Sequence, residues 1–306
     1  MILYLATLVL LVLLAPLLLG FIKALKMRLL FKWPIPIWQS YYDFAKLLRK
    51  ETILSEESSA VTRIGPMLVL APLIVALLVL PPAMKGAFYI GFVDAFTLTG
   101  LLALSTFFLM LIGLDSASAF GGMGASREAF ISALVEPAMV LTVFSVSMMA
   151  GSLGVGEAGV RLAEHFPTTH MASFVFAAIA FFILLIAENG RIPVDNPETH
   201  LELTMVHEAM ILDLTGFHLA LIESAASLKF VIFASLFASL FMPFGLGLAA
   251  PLALLVFVGK LFLIATAVAL VEVNTAKLRL FKVPNLLGIA IVFAFLSLIT
   301  FYVLGA

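Results

Sequence analysis

Six ionisable residues stand where this chain has least room for charge. Glu136, Glu188, Glu223 and Glu272 fall within or at the ends of long apolar runs, as do Lys229 and Lys260. A charged side chain near the centre of a bilayer costs roughly 2.5–3.5 kcal/mol on insertion scales, so each of these groups needs a reason to be there. Proton or ion handling supplies one. Burial raises a carboxyl pKa and a neighbouring lysine lowers it. Carboxyls of unequal pKa in a wetted pocket can therefore hand a proton from one to the next. The four glutamates lie on four separate apolar runs and suggest one convergent ion-coupling site, with Lys229 and Lys260 as tuning charges. Two structural alternatives stay open. Glu188 and Glu272 could mark the membrane interface, and Glu136 with Lys260 could be a buried pair that holds two helices together.

The elements that must position these residues follow from composition. Of 306 residues, 63% are hydrophobic and only 11% are charged, with a net charge of −1. An average soluble domain carries roughly 25% charged residues. A water-soluble chain could not hide this much apolar surface, so the solvent is lipid. The charge gives no footprint for nucleic acid. There is no cysteine and there are five histidines, so no disulfide and no thiolate site for an Fe–S cluster or metal can form.

Barrel strands would alternate apolar and polar residues. Here the apolar runs are continuous and about 20 residues long, which predicts helices. Eight spans are expected at about 2–22, 64–83, 95–114, 128–150, 170–188, 218–243, 250–272 and 286–304. Kinks are expected at Pro66 and Pro72. The fold class is an all-α integral membrane protein forming a single transmembrane domain over 1–306. The first run lacks a basic stretch ahead of it and reads as an uncleaved span rather than a signal peptide. No internal repeat and no second domain are visible.

Thirteen of the seventeen Lys and Arg residues fall on one side of this arrangement, two on the other (Lys85 and Arg161) and two inside spans. The positive-inside rule then places the 23–63 and 189–217 loops in the cytoplasm and both termini outside. Residues 37–50 form an amphipathic run with Ile37, Tyr41, Phe44 and Leu48 on one face, expected to lie along the inner membrane surface. The second inner loop is acid-rich. Asp195, Glu198, Glu202, Glu208 and Asp213 surround a single base, Arg191. Asn196-Pro197 reads as a helix start, Glu198 and Glu202 share one face, and His200 and His207 share another. Such a loop suggests a docking surface or a proton entry.

Two other local signals are weak. His207-Glu208-Ala209-Met210-Ile211 begins like a zinc-protease HExxH but lacks the second histidine. Gly121-Gly122-Met123-Gly124 is no phosphate loop and reads as a turn before a helix capped by Ser126.

The stretch Glu188-Asn-Gly-Arg191-Ile-Pro193-Val-Asp195-Asn-Pro197-Glu198-Thr-His200-Leu-Glu202-Leu203 resembles the hallmark loop of the subunit 1 family of respiratory complex I. It is equally similar to the corresponding subunits of energy-converting, group 4 membrane-bound [NiFe] hydrogenases and formate hydrogenlyase. Gln39, Asp43 and Lys46-Leu47-Leu48 match the family's first inner loop. Gly113-Leu-Asp115 through Ser126-Arg127-Glu128 to Val135-Glu136-Pro137, and Glu272-x-Asn274 through Arg279-Leu280, resemble the hydrogenase branch. The departures are His200 in place of a second loop glutamate, Asp213-Leu214-Thr215-Gly216 in place of Glu-Tyr-Ser-Gly, and Lys32-Trp33-Pro34-Ile35-Pro36 in place of the quinone-associated Arg-x-Gly-Pro. They point away from quinone binding and toward the hydrogenase-type branch and its sulfur-reducing relatives.

The resemblance implies a non-catalytic membrane anchor and coupling subunit of an oxidoreductase complex, which links ferredoxin-driven redox chemistry to H⁺ or Na⁺ translocation. Its implied partners are hydrogenase-like large and small subunits, an Fe–S subunit and antiporter-like membrane subunits. The Fe–S clusters and NiFe centre would reside in those partners, with no cofactor on this chain. Glu136, Glu188, Glu223, Glu272, Lys229 and Lys260 would carry coupling. Arg191, Asp195, Glu198, His200, Glu202, His207, Glu208 and Asp213 would form the docking loop and proton entry. A free-standing secondary transporter or ion channel is the alternative from another class. An intramembrane enzyme lacks a complete catalytic constellation.

Because the chain has no cysteine of its own, topology can be read by single-cysteine labelling. Cysteine at Thr52 or Asn285 should label from the cytoplasmic side and at Ala87 or Thr168 from outside. Labelling of Thr52 and Thr168 from the same side would overturn the span count.

Overall fold

The computed structural model describes residues 2–55, 58–80, 94–164, 170–196, 205–245 and 247–305. Its helices are α1 (Ile2–Leu29), α2 (Gln39–Arg49), α3 (Ala60–Val79), α4 (Ala95–Asp115), α5 (Ala119–Ala150), α6 (Val155–Glu164), α7 (Met171–Glu188), α8 (His207–Ile211), α9 (Gly216–Leu240), α10 (Ala250–Asn274) and α11 (Val283–Gly305). Among the described residues, eight helices are long and apolar enough to cross a membrane: α1, α3, α4, α5, α7, α9, α10 and α11. The all-α, eight-span fold class therefore holds. Pro66 and Pro72 lie inside α3 without ending it.

α9 is the central post. It packs on α1, α2, α3, α6, α7 and α10, and it is the most enclosed of the eight spanning helices. Its partners form a ring closed by α4 against α3 and α5, and by α11 against α5 and α7. Glu223 and Lys229 are thus carried on the helix least exposed to lipid.

The largest departure from expectation concerns α5. It starts at Ala119 and runs 32 residues, nine residues ahead of the expected start. Its N-cap is Ser118, whose hydroxyl accepts from the Gly121 N–H at 3.0 Å. Ser126 lies inside the helix and donates to the Met123 carbonyl at 2.9 Å. Two of the glycines that meet α8, Gly113 of α4 and Gly124 of α5, face it at close range. A Cβ at Gly124 would stand 2.8 Å from the Val206 carbonyl oxygen, and one at Gly113 would stand 2.9 Å from Met210. Tight packing against α8 outweighs the weak helix propensity of glycine.

Capping joins the inner ends. The Asp115 carboxylate at the end of α4 accepts from the Ser59 N–H (3.0 Å), the Thr62 N–H (2.9 Å) and the Thr62 hydroxyl (2.6 Å). It satisfies donors that the start of α3 leaves open and places negative charge at the positive end of that helix. α2 forms as expected. Ile37, Tyr41, Phe44 and Leu47 are half-buried while Leu48 is exposed, so Leu47 replaces Leu48 on the packing face. The Tyr41 hydroxyl donates to the Leu13 carbonyl of α1. Ile53 and Thr215 exchange hydrogen bonds of 2.8 and 3.0 Å, and Thr52 accepts from the Phe217 N–H at 3.2 Å. The first inner loop is thereby stitched to the start of α9. The short α6, which the apolar pattern did not reveal, folds around an Arg161–Glu157 pair at 2.6 Å.

Gly124→Val should force the α5–α8 contact apart, at a cost of about 1–3 kcal/mol for overpacking. A lowered thermal unfolding midpoint, with Gly122→Val as the control because no atom lies within 4 Å of a Cβ there, is the expected result. Equal midpoints for the two variants would refute the packing argument.

Candidate ion-coupling site

α1, α3, α4, α5, α7, α9 and the segments around Arg191 and His207 line a cavity of about 380 Å³. Glu128, Glu188, Asp195, Glu208 and Glu223 line it together with Lys23, Arg191, Lys229 and His207. A second cavity of about 260 Å³ lies between α4, α5 and α9 and contains Glu136. Glu188 is the one residue among the described linings that belongs to both. Its carboxylate pairs with the Lys229 ammonium at 2.6 Å, and Lys229 also donates to the Thr106 hydroxyl at 2.9 Å. A buried pair of this kind is tolerated because both charges stay matched and hydrogen-bonded.

The other charges sort into two networks. Glu272, only 4% exposed, accepts from Arg191 at 3.3 Å and pairs with Lys26 at 3.4 Å. Arg191 also stands 5.7 Å from the Phe230 ring centroid. Asp195, 2% exposed, pairs with Lys277 at 2.6 Å. It also accepts from the backbone N–H groups of Asn196 (2.8 Å), Val206 and His207 (both 3.2 Å). One carboxylate therefore ties together the two ends of the acidic loop.

The expectation of a single site is corrected in two places. Glu272 lines neither cavity and serves as a joint between α1, α10 and the loop. Lys260 is buried, but it lies twelve residues from Glu272 along α10, about 18 Å at helical rise. Its ammonium donates to the Met242 carbonyl and sits 4.5 Å from the Phe244 ring centroid. No Glu136–Lys260 ion pair forms. Glu136 and Glu223 are both exposed, each onto a cavity. Asp213 is exposed and outside both cavities. Glu198, His200, Glu202 and the expected helix start at Asn196-Pro197 fall in or against 197–204, outside the described residues.

Sequence reasoning missed Glu128, Lys23 and Thr106 as cavity residues, and Lys26 and Lys277 as ion-pair partners. Glu128 was the first residue of the expected fourth span, where a charge needs no explanation. The earlier start of α5 carries it into the bundle. The three lysines served only as markers of sidedness. Among the described residues no group of three or more His, Asp or Glu side chains is arranged to hold a metal ion.

At the loop side of the cavity two neighbours are perturbed in opposite directions. Burial, with the Lys229 charge, pushes the His207 imidazole down to about 4, against the pull of Asp195. Burial, with the negative charges of Glu223 and Asp195, pushes the Glu208 carboxyl up to about 7, against Lys23. Near neutral pH, His207 is uncharged and Glu208 is poised to exchange a proton.

These features define a multi-span membrane protein with an interior cavity lined by ionisable side chains. A sequence model of the NADH dehydrogenase family matches residues 2–303, and the chain belongs to that family. It is 35% identical over 243 residues to hydrogenase-4 component C of Escherichia coli (strain K12), covering 79% of this chain and 75% of that one. It is 29% identical over 293 residues to formate hydrogenlyase subunit 4 of the same organism, covering 94% of each. The fold matches a chain of the archaeal membrane-bound sulfane sulfur reductase complex with a TM-score of 0.82 at 17% identity, covering 97% of this chain and 98% of that one.

The raised Glu208 pKa has a stability consequence. A carboxyl with a folded-state pKa of about 7 favours folding below its ordinary pKa, and that advantage fades as pH rises toward 7. Infrared titration should show a protonated carboxyl with a midpoint of about 7 that Glu208→Gln removes. The stability of the variant relative to the parent should rise from pH 4.5 to 7 and then level off. A carboxyl midpoint near 4.5 would contradict the assignment.

Proposed function

We propose that this chain is the membrane anchor and ion-coupling subunit of a ferredoxin-linked, energy-converting complex of the membrane-bound hydrogenase type. The observation that carries this reading is the cavity itself. Five carboxyls from α5, α7, α8, α9 and the 189–217 loop converge inside a membrane bundle, immediately behind the surface on which a soluble partner would sit. Similarity to hydrogenase-4 component C and formate hydrogenlyase subunit 4 supports the hydrogenase-type assignment over the quinone-using branch.

With no cysteine in the chain, thiolate-bound Fe–S clusters belong to partners, together with a NiFe centre. The large, small and Fe–S subunits dock on the cytoplasmic 23–63 and 189–217 loops, with both termini of this chain outside. The contribution of this chain is electrostatic. A change in charge at the docked interface biases Glu208 and His207. Glu223, Glu188 and Glu136 then pass protons, or the electrostatic equivalent, toward antiporter-like membrane neighbours. Arg191, Asp195 and Glu272 hold the loop in register for that transfer.

Glu223→Gln tests the relay, since it preserves shape and hydrogen bonding while removing titration. The cluster-bearing partners should still assemble, and electron transfer with an artificial donor should survive in detergent. Ion uptake into sealed vesicles should fall sharply. Full pumping at normal assembly would remove Glu223 from the relay. Loss of assembly would make it a structural residue, and purification of the chain alone as a homo-oligomer would favour a free-standing transporter.

A further inference from the structure

The two cavities meet at one side chain, and that side chain is clamped. Glu188 lines both, and Lys229 holds it at 2.6 Å while itself anchored to Thr106 at 2.9 Å. A second carboxyl group waits on the cavity side. Glu128 lines the large cavity, has no hydrogen-bond or ion-pair partner among the described residues, and feels the charges of both Lys229 and Glu188. Eight residues further along α5, about 12 Å at helical rise, Glu136 faces the second cavity, where Glu188 is its nearest charged companion in the lining.

We propose that the Glu188–Lys229 pair is a gate between the cavities, and that Lys229 switches from Glu188 to Glu128 when the gate opens. This rests on the coupling role proposed for the chain and specifies how it is controlled. At rest Glu128 is a neutral carboxylic acid; its proton passes through the cavity to the Glu188 carboxylate, which it neutralises, and Glu128 is left as the carboxylate. The Lys229 ammonium keeps its three protons and moves to the Glu128 carboxylate, so one ion pair replaces another and no lone charge is left in the interior. Freed from Lys229, Glu188 can turn toward Glu136 and give up its proton there. In the closed state the pair plugs the wall, which prevents passive leakage when the soluble arm is idle. Lysine suits the task because its four-carbon stem is flexible and its charge compact, whereas a planar guanidinium would lock into a bidentate pair.

The test uses the assembled complex in inverted vesicles, without turnover, and carries a cysteine at Ala103 in the second cavity. Lys229→Gln should raise both passive proton permeability and the rate at which a small, water-soluble methanethiosulfonate labels the cysteine, each several-fold. Should Lys229→Gln fail to assemble, Glu188→Gln with Lys229→Met removes both charges together and should still accelerate labelling. During turnover, labelling should rise in the parent but not in Glu128→Gln, which lacks the second docking point for Lys229. Unchanged labelling in every assembled variant, or an equal turnover response in Glu128→Gln, would overturn the gate. Because leakage and resting accessibility need no pumping, they report on the gate separately from the outcome of Glu223→Gln.

Discussion

A carboxylate cannot stay ionised and alone inside a bilayer. It must be paired, protonated or wetted, and pairing recurs through this chain. Glu272 is paired with Lys26 and Arg191. Asp195 is held by Lys277 and by three backbone N–H groups. Glu223 and Glu128 open onto the large cavity. Pairing reaches the cavity wall as well: Asp195 and Glu188 line the large cavity and are held by Lys277 and Lys229, while Glu128 and Glu223 line it with no ion-pair partner among the described residues. The rigid joints hold a more labile set of charges in place.

That arrangement depends on close packing elsewhere. α9 brings Glu223 and Lys229 to the centre because six other helices surround it. α8 brings His207 and Glu208 to the wall of the cavity because Gly113 and Gly124 leave space for Met210, Ala209 and the Val206 carbonyl. A larger residue at either glycine would push that wall of the cavity away from its other acids. The small residues that pack the helices and the ionisable residues that line the cavity are therefore one design.

The sequence made the spans legible because continuous apolar runs have one solution in lipid. α2 was legible from its one-faced apolar pattern, and Glu188 and Glu223 stood out because charge in or at the end of an apolar run demands explanation. Sequence alone could not reveal which charges meet. Lys26 and Lys277 serve the positive-inside rule equally well whether solvated or paired. Glu128 was hidden by a glycine run that reads as a turn until its packing partners are known. Lys260 stands apart from the site by depth, since twelve residues of α10 separate it from Glu272 by about 18 Å. The fold turns it to the end of α9, where the Met242 carbonyl and Phe244 ring receive it.

The central claim is that the large cavity is hydrated and connects the loop acids to the intramembrane glutamates. The most direct measurement is a density map of the intact complex in lipid nanodiscs, at a resolution that shows ordered water. Water should run from Glu208 and His207 past Glu223 to Glu188, stopping at the Glu188–Lys229 pair. A dry cavity closed by apolar side chains, or one filled by an acyl chain, would contradict it.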